Sequence, residues 1–384
     1  MTFQGLPRAT GRPGTRNHLV VLSVCGLNGP GARRVAAALP GSVLIASPYG
    51  RGHVGPDRVF HRQMLCALAA HPNVGAVLVL APDDGLGAIF GEAVRAAGRP
   101  VAVFSLQSWD EDGTAMTAAA IKAGQDMQAE LARTARAPCP LSDLLVAMEC
   151  GHSDASSGIV ANPLTGDFAD HVIAAGGAAV FSETLEWLGC EAGLAARCIA
   201  PAMAERLLTL VAARHAIAAQ AGHNLLIGNP GPQNHSGGIT TLEEKSLGAI
   251  SKGGTSPISG ALAEGEPIPG PGLYAMDTPT LSPESITSMV AGGAQLVIFT
   301  TGQGNPYGSA LAPTIKLTGN PATAARLPGQ IDFDASPGFT GARTRADLLP
   351  ELVALALRIC SGDMTAADRN GDGDEVISRL GPSV

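Results

Sequence analysis

Short apolar runs, each followed by a stretch of helical spacing, constrain this chain more than any other feature. Residues 19–24, 43–46, 74–80 and 101–104 are almost wholly apolar, as expected of strands covered on both faces. Helical patterns over 31–38, 57–70, 88–97 and 114–135 separate and follow them. Such alternation calls for parallel strands with helices on both faces of a sheet. The pattern breaks at 135–140 and then resumes, with strand-like runs at 144–148, 178–181 and 296–299 and helical regions at 194–219, 242–250 and 348–360. The expected fold is α/β. An N-terminal parallel-sheet domain (1–137) is followed by a larger α/β domain with polar strand-end loops (138–362) and a C-terminal extension (363–384). A length of 384 residues suits more than one core,.

Composition narrows the function classes. A chain that is 45% hydrophobic and 15% charged supports large cores and argues against disorder,. Its net charge of −8 disfavours nucleic acid as a partner,. No apolar run approaches the roughly 18 residues of a membrane span. Residues 1–16 lack the apolar stretch of a secretion signal,. The seven cysteines are scattered without a CxxC pair, which suits reduced thiols and a cytoplasmic protein,.

Ligands of parallel sheets sit beyond the carboxyl ends of the strands, so the polar segments that follow the apolar runs are the candidate site. The densest is Glu149-Cys150-Gly151-His152-Ser153-Asp154, with Ser157, Gly158 and Asn162. It offers a base, hydrogen-bond donors and metal ligands for proton abstraction; a tight loop satisfying its own backbone is the plainer reading. Gly237-Gly238 leads through Thr240 and Thr241 to Glu244 and Lys245. Thr241 and Glu244 have capping-box spacing, and a helix start can also receive an anion. Thr300-Thr301-Gly302-Gln303-Gly304-Asn305 again follows a buried run, and Lys316 is a charge within an apolar stretch. Ser182-Glu183-Thr184 and Glu186 form a fourth cluster. In the first domain Arg16, Asn17 and His18 precede a strand. Arg51 and His53 follow another, with Arg51 suited to holding an anion,. No P-loop and no strand-linked GxGxxG occurs, so no nucleotide is expected,.

Taken together, 11–18, 149–163, 182–191, 237–254, Met276 with Asp277, and 300–316 with Asn320 resemble the altronate/galactarate dehydratase family, large-subunit type. The segment Ser47-Pro48-Tyr49-Gly50-Arg51 departs from the His and Cys of the sugar-acid dehydratases and is more similar to the sulfolactate sulfo-lyase branch, as is 301–305. The resemblance implies a lyase acting on a small anionic 2-hydroxy acid. The C2 proton is removed, the C3 substituent leaves, and a 2-keto acid forms; the leaving group is water in one branch and sulfite in the other. A non-catalytic subunit of the same fold is the remaining alternative. The resemblance also implies a divalent metal, Fe²⁺ or else Mn²⁺ or Mg²⁺, a separate small subunit, and a homo-oligomer. It gives Lys245, His152, Glu149 and Glu183 to catalysis. Cys150, His152, Asp154 and Glu183 go to the metal. Arg16, Asn17, His18, Arg51, Ser153, Asp154, Asn162, Thr240, Thr241, Gln303, Asn305 and Lys316 go to the substrate.

Overall fold

A computed structural model of the chain describes residues 1–50, 52–379 and 381. The chain forms two compact units, one of Gln4–Pro138 with Ile377–Val384, the other of Met1–Phe3 with Cys139–Val376.

The smaller unit is built on four parallel strands, β1 (His18–Ser23), β2 (Val43–Ala46), β3 (Val74–Ala81) and β4 (Val101–Ser105), in the order β2-β1-β3-β4. The helices Gly29–Ala38, Gly55–Ala69, Asp84–Ala96 and Gly113–Leu131 follow the strands in turn. All eight residues of β3 are buried, which is why this segment reads as a continuous apolar run instead of an alternating one. The strand order reverses between β1 and β3, so a crevice opens at their carboxyl ends.

The larger unit holds seven parallel strands. They are β5 (Leu145–Gly151), β6 (Ala178–Phe181), β7 (Ile258–Leu262), β8 (Gly272–Met276), β9 (Leu296–Thr301), β10 (Thr314–Thr318) and β11 (Phe333–Asp334). Their order is β11-β10-β9-β5-β6-β8-β7. The chain leaves β5 toward β6 on one side and later adds β9 on the other, so the order reverses at β5. Val146, Met148, Phe168, Phe181, Trp187, Ile298 and Ile315 belong to the core around this sheet.

Two expectations are corrected. The helix expected over 194–219 is two helices, Glu191–Ala196 and Pro201–Gln220. Pro201 lacks an N–H and cannot continue the first, but its fixed φ suits the first turn of the second. Four strands, β7, β8, β10 and β11, join the three foreseen in this unit. The segment expected as a C-terminal extension is tied down in part: Gly373–Asp374 pairs in parallel with Gly308–Ser309. Among the described residues no helix is long and apolar enough to cross a membrane.

Candidate active site

At the carboxyl end of the larger sheet, register brings distant segments together. Glu149 and Cys150 of β5 pair with Phe299 and Thr300 of β9. Met148 pairs with Phe181 of β6, so Ser182 and Glu183 emerge beside Glu149 and Cys150. Successive residues of a strand face opposite sides, and the two side chains divide accordingly. Glu149 accepts hydrogen bonds through Oε2 from Ser285 (2.8 Å), on the helix Ser282–Ala291, and from Ser182 (3.1 Å). Cys150 meets Lys252, in the turn Ser251–Gly253, at 3.2 Å from Nζ to Sγ.

Lys252 is the centre of the cluster. Its side chain is 1% exposed and its ammonium pairs with the Glu183 carboxylate; the Glu186 carboxylate lies 3.7 Å away. The Cys150 thiol lies 3.1 Å from Glu186 Oε2 and 3.4 Å from Glu183 Oε2, and the Cys150 amide donates to Glu183 at 3.3 Å. Four acidic groups thus surround one buried cation, and they cannot all ionise. Burial, reinforced by Glu183, holds the Glu149 carboxyl well above the usual carboxylate range, and the same causes raise the Cys150 thiol. Burial and Glu186 push Glu183 up to about 7 despite Lys252. Burial works against the charge on Lys252, but the surrounding acids outweigh it and hold the ammonium protonated. Glu149 Oε1 is buried without a hydrogen-bond partner among the described residues.

Close backbone packing seats this turn. A Cβ on Gly166 would lie 2.3 Å from the Ser251 carbonyl oxygen and 2.7 Å from the Gly254 nitrogen. Gly254 itself has φ of +60°, where glycine carries no steric cost. Glu183 is held at φ of 73°, with its amide on Thr278 Oγ1 at 3.0 Å. A non-glycine residue there stores about 1 kcal/mol, and such outliers cluster at functional sites.

A cavity of about 250 Å³ opens above the cluster, with Cys150, Glu183, Glu186, Lys245, His152 and Asn305 in its wall. Lys245 donates to Asn229 Oδ1 at 2.8 Å and lies 3.6 Å from Glu186. His152 is exposed at its edge, with Nδ1 2.8 Å from the Gly304 carbonyl oxygen. A carbonyl only accepts, so Nδ1 carries the hydrogen and Nε2 is the free ring nitrogen. Ser153 also lines this wall, and its carbonyl accepts from Asn234 at 3.0 Å.

Asp154 and Asn162 line a second cavity, of about 360 Å³, that shares Ser153 and Lys245 with the first. Asp154 accepts from Ser156 (2.6 Å), the Ser157 amide (3.0 Å) and Asn320 (2.7 Å). Asn162 donates to the Gly248 carbonyl at 3.0 Å and accepts from Thr300. Thr240 and Thr241 are exposed caps of the helix Leu242–Ile250, bonded to Glu244 in the expected capping box. Gln303 donates to the Gln233 carbonyl at 2.8 Å. Lys316 is buried over the Phe299 ring, on the carbonyls of Asn305 and Tyr307, and burial pushes it down to about 8. Arg16, Asn17 and His18 sit in the smaller unit at the amino end of β1, where Asn17 accepts from Arg8 at 2.8 Å and donates to the Leu131 carbonyl at 3.2 Å. Arg51 lies outside the described residues.

Cys150, Glu183 and Glu186 are the grouping among the described residues able to hold a metal ion, their ligand atoms all within 4.8 Å of one another. One sulfur and two oxygens are a donor set that fits a divalent transition ion,. Cys150 and Glu183 were expected in such a set; His152 and Asp154 stand apart from it, and Glu186 takes part instead. Lys252 escaped sequence reasoning altogether. It lies between Ser251 and two glycines just past a helix end, where a lysine reads as a solvated cation.

Residues 141–383 match the family model described as D-galactarate/altronate dehydratase, C-terminal. Residues 5–132 match that of the D-galactarate dehydratase/altronate hydrolase second domain. The (2R)-sulfolactate sulfo-lyase subunit beta of Chromohalobacter salexigens is 35% identical over 99% of this chain and 97% of its own length. Altronate dehydratase of Escherichia coli is 34% identical over 98% of this chain and 77% of its own. The altronate dehydratase of Bacillus subtilis is 30% identical over 100% of this chain and 78% of its own.

Proposed function

The chain belongs to the D-galactarate/altronate dehydratase family, and from that premise we propose how its site works and on what. It is an enzyme, a lyase. Its reaction removes the C2 proton of a small anionic 2-hydroxy acid and expels the C3 substituent, giving a 2-keto acid, as in the dehydration of sugar acids such as altronate or galactarate. The observation that carries this reading is the buried Glu183–Lys252 pair beneath a polar cavity whose wall holds a second cation, Lys245.

The α-proton is weakly acidic because the adjacent carboxylate is already negative, so the transition state needs fixed positive charge. The Lys245 ammonium binds the substrate carboxylate. Glu183, raised to about 7, has the basicity a proton acceptor needs near neutral pH. It takes the C2 proton, with Lys252 fixing its orientation from behind. The electron pair left at C2 forms the C2–C3 double bond as the C3 substituent departs. The imidazolium form of His152 protonates a leaving hydroxyl through Nε2. The enol then becomes the 2-keto acid. Cys150, Glu183 and Glu186 would hold a divalent ion, Fe²⁺ as first choice with Mn²⁺ or Mg²⁺ as alternatives. Once bound, it would supply Lewis-acid stabilisation of the negative charge that builds up as the C2 proton leaves.

A second reading differs only in the leaving group. The similarity to a sulfo-lyase β subunit over almost the full length of both chains favours sulfolactate, with sulfite leaving and pyruvate formed. Sulfite needs less protonation than hydroxide and relaxes the demand on His152. That relative's description as a subunit also supports a separate small subunit here. The test offers altronate, galactarate and sulfolactate to the purified chain with its small subunit, anaerobically and with Fe²⁺, and measures 2-keto acid and sulfite. Sulfite release selects the carbon–sulfur reading, and sugar-acid turnover without sulfite selects dehydration. No turnover of any of the three removes both.

A further inference from the structure

The smaller unit contains a cavity of its own, about 410 Å³, lined by Val24, Ser47, His53, Arg58, His61 and Arg62 among others. Val24 follows β1, Ser47 follows β2, and Asp83, also in the wall, follows β3. The cavity is therefore the crevice at the point where the strand order reverses, the place where open parallel sheets take ligands.

Its polar lining is incompletely satisfied. His53 and His61 are each 4% exposed, with ring centroids 4.5 Å apart. His61 Nε2 lies 3.0 Å from the Ser378 carbonyl oxygen, which can only accept, so that nitrogen carries the hydrogen and Nδ1 is a bare lone pair. Nδ1 is buried and has no partner among the described residues, and the same holds for His53 Nε2. Most buried polar atoms are paired, and two orphans on adjacent rings of residues that line one cavity call for an explanation,. Burial lowers the basicity of both rings, with Arg379 adding to it at His53 and His53 at His61, so His61 accepts a hydrogen bond here and does not supply charge. The charge comes from Arg58 and Arg62, one turn apart on the helix Gly55–Ala69, exposed, and unpaired among the described residues. Of the nearby carboxylates, Asp57 accepts from the Gly381 amide and Asp83 caps its own helix through the Leu86 amide. A metal is disfavoured, because no three ligand atoms in this unit's described residues come within reach of one ion.

We propose that the smaller unit carries a second ligand site, for a small oxyanion bearing a hydroxyl group. The hydroxyl donates to His61 Nδ1, and the anionic group binds Arg58 and Arg62. Carboxylate, sulfonate and phosphate share this chemistry. The site stands whether or not the second-domain mechanism holds.

The test uses the full chain with isotope-labelled histidine, titrated with glycerate and with isethionate (a carboxylate and a sulfonate, each with a hydroxyl). Propionate serves as the anion without a hydroxyl and glycerol as the hydroxyl without an anion. Either hydroxylated anion is expected to shift the His61 Nδ1 resonance, and the tighter of the two identifies the preferred head group. Propionate and glycerol are expected to bind at least about tenfold more weakly, the factor typical of leaving a buried acceptor unpaired in the first case and of losing the charge-assisted bonds to arginine in the second. The double variant Arg58→Gln/Arg62→Gln changes only exposed positions, so its fold is not at issue; it is expected to weaken binding by about tenfold or more. His61→Gln keeps a donor toward Ser378 but no Nδ1, and is expected to bind propionate and glycerate alike. Unmoved histidine resonances with both hydroxylated anions overturn the proposal. So does equal binding of propionate to the wild type, or undiminished binding by the arginine double variant.

Discussion

Replacing Lys252 by methionine strands a buried carboxylate. Methionine keeps most of the aliphatic volume and removes the ammonium that pairs with Glu183 and faces Cys150 and Glu186. Removing one partner of a buried ion pair costs about 3–5 kcal/mol, because the remaining charge has nothing to balance it. Glu183 can escape the cost by taking up a proton. Its folded-state value is already raised to about 7, above its ordinary unfolded one, so it is costly when ionised: its stability penalty grows as pH rises from the unfolded value to the folded one, is complete above the folded value and is absent below the unfolded one. Without Lys252 that value climbs further. Lys252→Met is therefore expected to lose more stability at about pH 8 than at about pH 6. Adding Glu183→Gln should restore about 2–3 kcal/mol, the coupling of a contacting pair. Urea unfolding of wild type, both single variants and the double variant at the two pH values measures this cycle. A double variant no more stable than Lys252→Met, or a Lys252→Met penalty independent of pH, refutes the assignment of Lys252 as the counter-charge of Glu183.

Three further outcomes follow. Gly166→Ala forces its Cβ against the Ser251 carbonyl and the Gly254 amide and should lower stability by about 2–3 kcal/mol through overpacking, read as a lower urea midpoint. Lys245→Ala, at the cavity wall, should raise KM more than it lowers kcat, as expected of a substrate-carboxylate clamp; steady-state kinetics with the turned-over acid separates the two effects. Burial raises Glu375 to about 7 against its hydrogen bonds from Ser309 and Thr287. A raised carboxyl makes stability fall as pH rises from its unfolded value to its folded one, so Glu375→Gln should flatten the decline between about pH 4.5 and 7 in a thermal-unfolding series.

The strands foreseen from apolar runs, such as β3 and β6, are buried throughout, and burial on both faces is what writes a run into sequence. β7 and β8 were missed because glycine interrupts or opens them, and glycine reads as loop. β10 was hidden by Lys316, whose charge is satisfied by two carbonyls that no local pattern announces. The site shows the same division. Glu149, Cys150 and Glu183 were legible because they directly follow apolar runs. Glu186 was visible only as part of a polar cluster, and Lys252 not at all, because their roles depend on packing of the 251–254 turn against Gly166. Thr240 and Thr241 carry a capping box, which alone accounts for their pattern.

The loops after β5 and β9 are laced together at their tips. The His152 carbonyl accepts from the amides of Gly302 (3.3 Å) and Gln303 (3.2 Å), while its ring reaches back to the Gly304 carbonyl. A Cβ on Gly302 would strike the Asp154 carboxylate, 2.3 Å from its Cγ. Neither tip can therefore be redesigned alone. Rewriting 303–307 will also move the backbone next to Cys150, so any graft of that loop must carry 152–154 along with it.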